Sequence, residues 1–302
     1  MSELVSVVIP AHNRAFIIRD ALNSILKQTY QNWEVLVVDD SSTDETNRVV
    51  KKYAREDSRI RLIQHARQKG AQAARNTGIC AARGKWIAFL DSDDKWLPYS
   101  LEARLKLAVK KSDVVHSDCY VLNSLGESEM KRFGVPPMEG LTFKELLQRP
   151  GPMFQALLVS KEALARIAFL DESIVSYQEW DTAIRLARCC SFHFVKDPTF
   201  IYDCRHGNTI SKDLLRGAIG YEQVITKHRW SILRYLGPQT LASHYRQAAG
   251  FYLDAQAEYE ADRCLLRAKT WWPFGHPTFR TTARSVAKIG LKLIHHARRH
   301  SC

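Results

Sequence analysis

The sequence predicts an α/β fold in which helices flank a mostly parallel, Rossmann-like sheet, with a helical region toward the C-terminal end. In the first half of the chain, short apolar runs alternate with segments of helical periodicity, a pattern typical of βαβ units. Beyond about Ser211 the pattern is helical, with no further clear strand. We therefore expect one domain over residues 1–210 and a basic helical region over residues 211–302.

The spacing of apolar residues places the elements of the first half in order. Strands are predicted at Val5–Ile9, Trp33–Val38, Ile60–Ile63, 86–90 and Asp113–Leu122. Helices are predicted over Ile17–Ile25, from a Ser42–Glu45 capping box to about Arg55, over about Ala71–Ala82, and from Pro98 to about Lys110.

The second half is less regular. It predicts a short helix that Thr142 and Glu145 cap, a strand over Gln155–Ser160, a helix from Lys161, a helix over Ser176–Cys189, and short strands at Phe192–Val195 and Thr199–Tyr202. These elements extend the sheet without the strict alternation of the first half.

The composition is that of an ordinary globular protein, because 45% of the 302 residues are hydrophobic and 25% are charged. No stretch approaches 18 consecutive apolar residues, and the first residues do not resemble a signal peptide. The seven cysteines include no Cys-x-x-Cys, which favours reduced thiols over disulfides or a zinc site. We therefore expect a cytoplasmic protein.

Most of the net charge of +12 lies near the C-terminal end. Residues 276–302 contain six Lys/Arg and no acid, and Arg280, Arg284, Lys288 and Lys292 repeat every four residues. Basic amphipathic helices of this kind are typical of segments that bind anionic membranes. The predicted partner is therefore an anionic membrane surface. The alternative is a helix that packs on the first domain with a solvated basic face. Since no reading motif accompanies the charge, we expect no nucleic-acid partner.

Polar and acidic residues follow three of the predicted strands. The first strand runs into Pro10, Ala11, His12, Asn13 and Arg14. The second ends in Asp39-Asp40, and the fourth ends in Asp91, Ser92, Asp93 and Asp94. These carboxyl ends should meet at one edge of a parallel sheet, where ligands bind.

Three carboxylates this close repel one another unless a cation joins them. The alternative is a solvated turn that caps the next helix, although a cap needs only one carboxylate. The edge also suits a nucleotide. His12 can stack on a base, Asp40 can accept the imide hydrogen of a pyrimidine, and Asp93 can hold a metal that bridges a diphosphate.

Four segments, taken together and in order, carry a resemblance to a known family. They are Val5–Arg14 (VSVVIPAHNR), Val37–Asp44 (VVDDSSTD), Lys69–Gly78 (KGAQAARNTG) and Phe89–Asp94 (FLDSDD). Over about the first 210 residues the chain resembles family 2 of the glycosyltransferases. That resemblance implies the GT-A fold and transfer of a sugar from a nucleotide-diphospho-sugar with inversion at the anomeric carbon.

The resemblance also implies roles for individual residues. Asp40 matches the acid that binds the nucleotide base, and Asp91 and Asp93 match an Asp-x-Asp motif whose last acid usually ligates Mn²⁺ or Mg²⁺. Arg75 matches a basic residue near the nucleotide, the alternative being a helix-surface arginine paired with nearby acids. His12 stands where the family often has Tyr. The predicted nucleotide-sugar-binding residues are Pro10, Ala11, His12, Asn13, Arg14, Asp40, Arg75, Asp91, Ser92, Asp93, Asp94, Arg205 and His206, and the predicted metal ligands are Asp93, Asp91 and His206.

The segment Tyr177–Leu186 resembles the family's Glu-Asp-Trp-Asp motif at a helix start, where the second acid is usually the catalytic base. Glu179 occupies that position here, and Gln178 replaces the first acid. An attacking hydroxyl must lose its proton, and a positioned carboxylate can take it. We expect Glu179 to be the base. Asp181 is the alternative, although a capping or ion-pairing role suits it better.

Arg205 and His206 follow the last predicted strand in a stretch that resembles the family's next segment. We expect them to fold over the diphosphate, with His206 reaching the metal. The alternative for His206 is an exposed loop position.

These observations predict a metal-dependent, inverting glycosyltransferase that transfers sugar from a UDP-sugar to a glycan or lipid-linked acceptor in polysaccharide biosynthesis. Its expected location is cytoplasmic, with peripheral attachment at the inner face of the membrane. Two alternatives stay open. One is a metal-dependent nucleotidyltransferase, which also needs clustered acids. The other is a non-catalytic, membrane-associated scaffold, which the Gln178-Glu179 departure favours.

Overall fold

The computed structural model describes residues 3–111, 113–122, 128–131, 137–203 and 213–274. The described chain divides into two compact units. The first, called the sheet unit, takes the described parts of 1–143, 151–172 and 182–206; the second, called the helical unit, takes 144–150, 173–181 and the described part of 207–302. The predicted domain division at residue 210 stays a prediction.

A nine-stranded sheet forms the centre of the sheet unit. Its strands are β1 Val5–Ala11, β2 Trp33–Asp39, β3 Ile60–Gln64, β4 Trp86–Phe89, β5 Lys95–Trp96, β6 Val114–Leu122, β7 Ser128–Lys131, β8 Leu158–Ser160 and β9 Phe192–Asp203. They lie in the order β3-β2-β1-β4-β8-β6-β9-β5, and β7 pairs with β6.

The half of the sheet built from the first strands is parallel, as the alternation of strands and helices predicts. β2 pairs in parallel with both β1 and β3, and β1 pairs in parallel with β4. The other half is mixed, because β8 runs antiparallel to both β4 and β6. Antiparallel neighbours need no helical crossover, and the regular alternation in the sequence stops at this point.

The described helices are α1 Ile18–Leu26, α2 Thr46–Glu56, α3 Ala71–Ala81, α4 Ser100–Lys111, α5 Phe143–Gln148, α6 Lys161–Arg166, α7 Gln178–Leu186, α8 Leu214–Leu236, α9 Pro238–Asp254 and α10 Glu258–Trp271. None of these helices is both long and apolar enough to cross a membrane. The central strands are apolar on both faces, and all seven residues of β2 are buried. Helix α3 lies close to β1 at Gly78, where a Cβ atom would stand 2.4 Å from Cγ1 of Val8.

Three predicted details are wrong. The Ser42–Glu45 capping box does not form, because α2 begins at Thr46 and Glu45 rather than Ser42 is its N-cap residue. The Ser42 hydroxyl instead accepts a hydrogen bond from the backbone N–H of Asn13 at 2.8 Å. Helix α4 begins at Ser100 rather than at Pro98. The last two predicted strands are one strand, β9, whose pairing with β6 shifts register between Ser117 and Cys119.

In the helical unit, the side chain of Trp180 ties the start of α7 to neighbouring segments. Its indole N–H donates to the carbonyl of Leu146 at 2.6 Å. Its ring centroid lies 5.1 Å from that of Tyr221 and 6.0 Å from that of His244. A fully buried tryptophan with its N–H satisfied contributes both apolar burial and a fixed orientation.

Helix α6 ends in a Schellman motif whose left-handed position is not glycine. The N–H of Phe169 donates to the carbonyl of Leu164 and that of Ala168 to the carbonyl of Ala165, both at 2.9 Å. Ala168 has φ = 54°, and its side chain is exposed. A Cβ atom in this region costs about 1–2 kcal/mol.

We therefore expect Ala168→Gly to stabilise the protein. The strain energy that glycine removes from the folded state is larger than the entropy that glycine adds to the unfolded chain. The free energy of unfolding should therefore increase by about 0.5–1 kcal/mol. Urea unfolding measures this gain. Ala165→Gly, at an exposed position inside the same helix, is the matched control and should destabilise by about 1 kcal/mol. Equal losses in both variants would contradict the strain at Ala168.

Candidate functional site

The parallel register brings the predicted strand ends to one edge of the sheet. Ala11 at the end of β1 pairs with Asp39 at the end of β2. The next N–H, that of Asp40, donates to the carbonyl of Ala11 at 2.7 Å. On the other side of β1, the N–H of Leu90 donates to the carbonyl of Val8, and Asp91 follows directly. The acidic residues of both strand ends therefore lie at the carboxyl edge of the parallel half.

The loop after β1 is fixed by the loop after β2. The Asn13 side-chain carbonyl accepts from the N–H of Thr43 at 2.9 Å, and Asn13 itself takes a left-handed φ of 54°. The N–H of Arg14 donates to the Thr46 hydroxyl at 2.7 Å. Asp44 accepts from Ala15 and Thr46, and although burial raises its pKa, these hydrogen bonds bring the net pKa below the ordinary value. The two loops thus form one fixed edge.

His12 lies in this edge with both ring nitrogens engaged. Nδ1 is 2.8 Å from the main-chain carbonyl of Asp40 and must donate to it. Nε2 is then the acceptor and lies 3.3 Å from the side-chain nitrogen of Asn13. These contacts place the donor at Nδ1 and orient the ring, which is half-buried.

Asp40 is a buried carboxylate held by three donors. Oδ1 accepts from Nδ1 of His65 at 2.7 Å and from the N–H of Lys69 at 2.9 Å, and Oδ2 accepts from the N–H of Gly70 at 2.7 Å. Burial raises the pKa of Asp40, but the hydrogen bonds from His65, Lys69 and Gly70 outweigh burial and lower it overall. Asp40 is therefore a stable anion at neutral pH.

Arg75 projects from α3 and pairs with Asp91. Its Nη2 lies 2.6 Å from Oδ1 of Asp91, and its Nη1 lies 3.0 Å from Oε1 of Gln72. The guanidinium covers the ring of Phe154, 4.4 Å from the ring centroid, and only 5% of the residue is exposed. Arg75 therefore pairs with a nearby acid, as the alternative expected, but from a buried rather than a surface position. Its place near the nucleotide stays a prediction.

Asp94 is the most enclosed acid of the cluster. Its Oδ1 accepts from the N–H of Asp203 at 3.1 Å, and its Oδ2 accepts from Nε2 of Gln155 at 2.6 Å. Burial, together with the charges of Asp91 and Asp93, raises the pKa of Asp94 well above its ordinary value. The predicted helix-capping alternative for Asp94 fails, because the carboxylate faces Gln155 and β9 and the next helix begins only at Ser100.

The three carboxylates can act together as ligands. Asp91, Asp93 and Asp94 each offer an oxygen atom, and these oxygens lie within 4.8 Å of one another. Carboxylate oxygens at such separations suit hard cations such as Mg²⁺ or Mn²⁺. Ser92 between them is buried. Burial, and after it the repulsion from Asp91 and Asp93, raises the pKa of Asp94, and this repulsion and the donor chemistry both fit a bound divalent cation.

Two residues at this edge were not predicted from the sequence. Gln155 donates from Nε2 to Asp91 as well as to Asp94, and His65 holds Asp40. The prediction placed Gln155 at the start of a strand, where a polar residue ahead of the apolar run Ala156–Val159 is the only signal the sequence offers.

In the helical unit, Glu179 and Asp181 lie in the first turn of α7. Oδ1 of Asp181 is 2.8 Å from both Nζ of Lys227 and Nε2 of His228, and the carboxylate is buried. Asp181 thus takes the ion-pairing role expected for it. Arg205, His206 and residues 276–302 lie outside the described residues, so the roles assigned to them stay predictions.

A parallel half-sheet with an acidic cluster at its carboxyl edge is typical of α/β proteins that bind a ligand at that edge. The family model for "Glycosyl transferase family 2" matches residues 6–167, and the chain belongs to that family. The sheet and its flanking helices match GT-A-type glycosyltransferase structures, which confirms the predicted fold.

Similar proteins include one curated relative and two solved structures. The chain is 38% identical over 149 residues to the UDP-Glc:alpha-D-GlcNAc-diphosphoundecaprenol beta-1,3-glucosyltransferase WfgD of Escherichia coli, covering 49% of this chain and 56% of WfgD. It resembles S. aureus TarS 1-349 in complex with UDP-GlcNAc (TM-score 0.60, 21% identity, 89% of this chain, 73% of TarS). It also resembles the mannosyltransferase PcManGT of Pyrobaculum calidifontis in complex with GDP-Man and Mn²⁺ (TM-score 0.55, 20% identity, 96% of this chain, 81% of PcManGT). The chain therefore spans about half the length of WfgD.

The donors around Asp40 predict an acid-sensitive contribution to stability. Because the folded-state pKa is lowered, this contribution is complete above the unfolded-state pKa near 3.9 and is lost as the pH falls through the folded-state pKa. In Asp40→Asn, the amide NH₂ either faces the hydrogen-bond donors or turns away, so hydrogen bonds to position 40 are lost. The free energy of unfolding should therefore fall by about 1–3 kcal/mol at pH 7. The difference from wild type should shrink below about pH 4.

Urea unfolding between pH 7 and pH 3 measures this difference. Asp262→Asn, at an exposed position of α10, is the matched control and should leave stability within about 0.5 kcal/mol at every pH. If the free energies of unfolding of wild type and Asp40→Asn differ by the same amount at pH 7 and at pH 3, the assignment of Asp40 as a stabilised anion is contradicted.

Proposed function

We propose that this protein is an inverting glycosyltransferase of polysaccharide biosynthesis that transfers a sugar from a UDP-sugar to a hydroxyl of a glycan or lipid-linked acceptor. The observation that carries the proposal is the cluster Asp91, Asp93 and Asp94 at the same sheet edge as Asp40. Family membership supports it. So do the names of its relatives, because TarS is seen with UDP-GlcNAc and WfgD uses UDP-Glc on a lipid diphosphate.

The edge formed by Pro10, Ala11, His12, Asn13 and Arg14 is proposed to receive the nucleotide beside Asp40. A carboxylate offers about four acceptor positions, and the chain's own donors use three of those on Asp40. One position on Oδ2 is left for the imide N–H of uracil. The oriented ring of His12 supplies a face for stacking.

A divalent cation, Mn²⁺ or Mg²⁺, is proposed to bind at the acidic cluster, with Asp93 and Asp91 as ligands and His206 as a further ligand. When bound, it neutralises the charge that develops on the departing diphosphate. Arg75 is engaged with Asp91, so we assign it to the donor site through that carboxylate. Arg205 is proposed to contact the diphosphate directly.

Glu179 is proposed as the base. Its carboxylate takes the proton of the acceptor hydroxyl while that oxygen attacks the anomeric carbon, and the bond from this carbon to the diphosphate oxygen breaks. A single in-line displacement inverts the configuration. Asp181 is buried and pairs with Lys227 and His228, which suits a structural role rather than that of the base.

An anionic membrane surface is proposed as a further partner through residues 276–302. At the end of the described chain, aromatic side chains support this assignment. The rings of Trp230 and Trp271 lie edge to face at 6.2 Å, and Trp230 and Phe274 are 64% and 82% exposed. Exposed aromatic side chains, together with a basic segment, are typical of membrane–water interfaces.

The role of the base is tested with Glu179→Gln in the full chain, after a screen of UDP-, GDP- and dTDP-sugars identifies the donor. We expect transfer to fall by about 10²–10⁴-fold while donor binding persists. Glu258→Gln changes an exposed glutamate in the first turn of α10 and should leave transfer unchanged. Unchanged transfer by Glu179→Gln would refute the base. Release of pyrophosphate from a nucleoside triphosphate would indicate a nucleotidyltransferase instead.

The metal assignment is tested by UDP binding, measured calorimetrically with and without Mn²⁺. Binding by the wild type should tighten with Mn²⁺, because the cation joins the diphosphate to the acidic cluster. Asp93→Ala should lose that increment and keep the metal-independent part. Asp262→Ala, on the surface of α10, is the control. UDP binding that ignores Mn²⁺ and survives Asp93→Ala would overturn the metal role.

A further inference from the structure

The turn before β8 carries a side chain that joins two acids of the cluster. Gln155 lies in a 3-10 turn, Phe154–Ala156, and only 4% of it is exposed. Its Nε2 is 2.6 Å from Oδ2 of Asp91 and 2.6 Å from Oδ2 of Asp94. Asp91 also accepts from Arg75, so the nitrogen rather than the oxygen of the amide faces this pair of carboxyl groups. Each of its two N–H hydrogens therefore serves one carboxylate.

This bridge provides what the cluster needs electrostatically. Asp91 and Asp94 repel each other when both are ionised. Arg75 donates to Asp91, whereas the hydrogen bonds that Asp94 accepts come from the neutral groups of Gln155 and the Asp203 N–H. A neutral amide can donate to both without adding a charge, so it holds the two carboxylates and leaves the cluster negative. A lysine or arginine in its place would compete with an incoming cation.

The main chain of the turn is held equally firmly. Arg104 is fully buried, and its Nη1 donates to the carbonyls of Gln155 and Leu157, both at 3.1 Å. The indole N–H of Trp96 also reaches the Gln155 carbonyl, at 3.4 Å. The neighbouring Phe154 ring supports the guanidinium of Arg75. One short turn thus orients both partners of Asp91.

We infer that Gln155 is a positioning residue. It holds the carboxylates of Asp91 and Asp94 in place, so that their oxygen atoms are already oriented when a divalent cation binds. The inference rests on the proposed function, and it assigns no contact between Gln155 and the cation or the donor. Partners that orient metal ligands typically change metal affinity by 10–100-fold when they are removed.

The test measures Mn²⁺ binding by the full chain in the presence of UDP, from the loss of the electron paramagnetic resonance signal of aqueous Mn²⁺, with a protein-free Mn²⁺–UDP blank. Gln155→Met keeps the approximate length of the side chain and removes both donors. We expect Mn²⁺ affinity about 10-fold or more below wild type, with the melting temperature in chelator used to confirm folding. Gln239→Met, at an exposed position of α9, should bind as wild type does.

Gln155→Asn is the second variant, because it keeps the two N–H donors on a shorter side chain and is less disruptive if the methionine variant does not fold. It should bind Mn²⁺ more weakly than wild type and more tightly than Gln155→Met. Folded variants at position 155 that bind Mn²⁺ as tightly as wild type would overturn the positioning role alone. A wild type that does not bind Mn²⁺ would overturn both this inference and the proposed metal site.

Discussion

Carboxylates placed at the ends of buried strands must be held by hydrogen-bond donors, and the rest of the edge is arranged to supply them. Leaving such a group desolvated and unpaired costs several kcal/mol. Asp40 is held by His65 and two backbone N–H groups, and Asp91 by Arg75 and Gln155. Each donor comes from a segment that has to stay in place for the acid to stay ionised. The acids therefore determine the positions of the loops around them.

Because each acid is held by donors from other segments, a few side chains determine the positions of several loops. Asp40 ties the loop that enters α3 to the end of β2, and α3 in turn carries Arg75 to Asp91. Helix α3 can reach that position only because Gly78 has no side chain against Val8. The Lys69–Gly78 motif thus connects the two acidic strand ends, through the N–H groups at its start and the Arg75 side chain. A packing residue and a charged residue in one segment serve the same edge.

The sequence alone predicted the parallel half of the sheet and the acids at its edge, because both depend on local patterns. Alternating apolar runs specify βαβ units, and an acid directly after a buried strand must lie at that strand's end. It did not predict His65 or Gln155, whose partners are 25 and 64 residues away. No local periodicity records such a pairing. Similarly, the sequence did not predict that the Ser42 hydroxyl accepts from the distant N–H of Asn13 while α2 begins only at Thr46.

Asp40 and Asp94 are both buried aspartates, yet their pKa values shift in opposite directions. Asp40 has three donors of its own, including His65, whereas Asp94 has two neutral donors and faces the charges of Asp91 and Asp93. Burial acts on both in the same sense, so the neighbours decide the sign. Of the two places where acids collect at this edge, the chain's own donors stabilise the charge of Asp40, whereas like charges face one another at Asp91–Asp94. Added positive charge beside the cluster would therefore offset a repulsion that Asp40 does not experience.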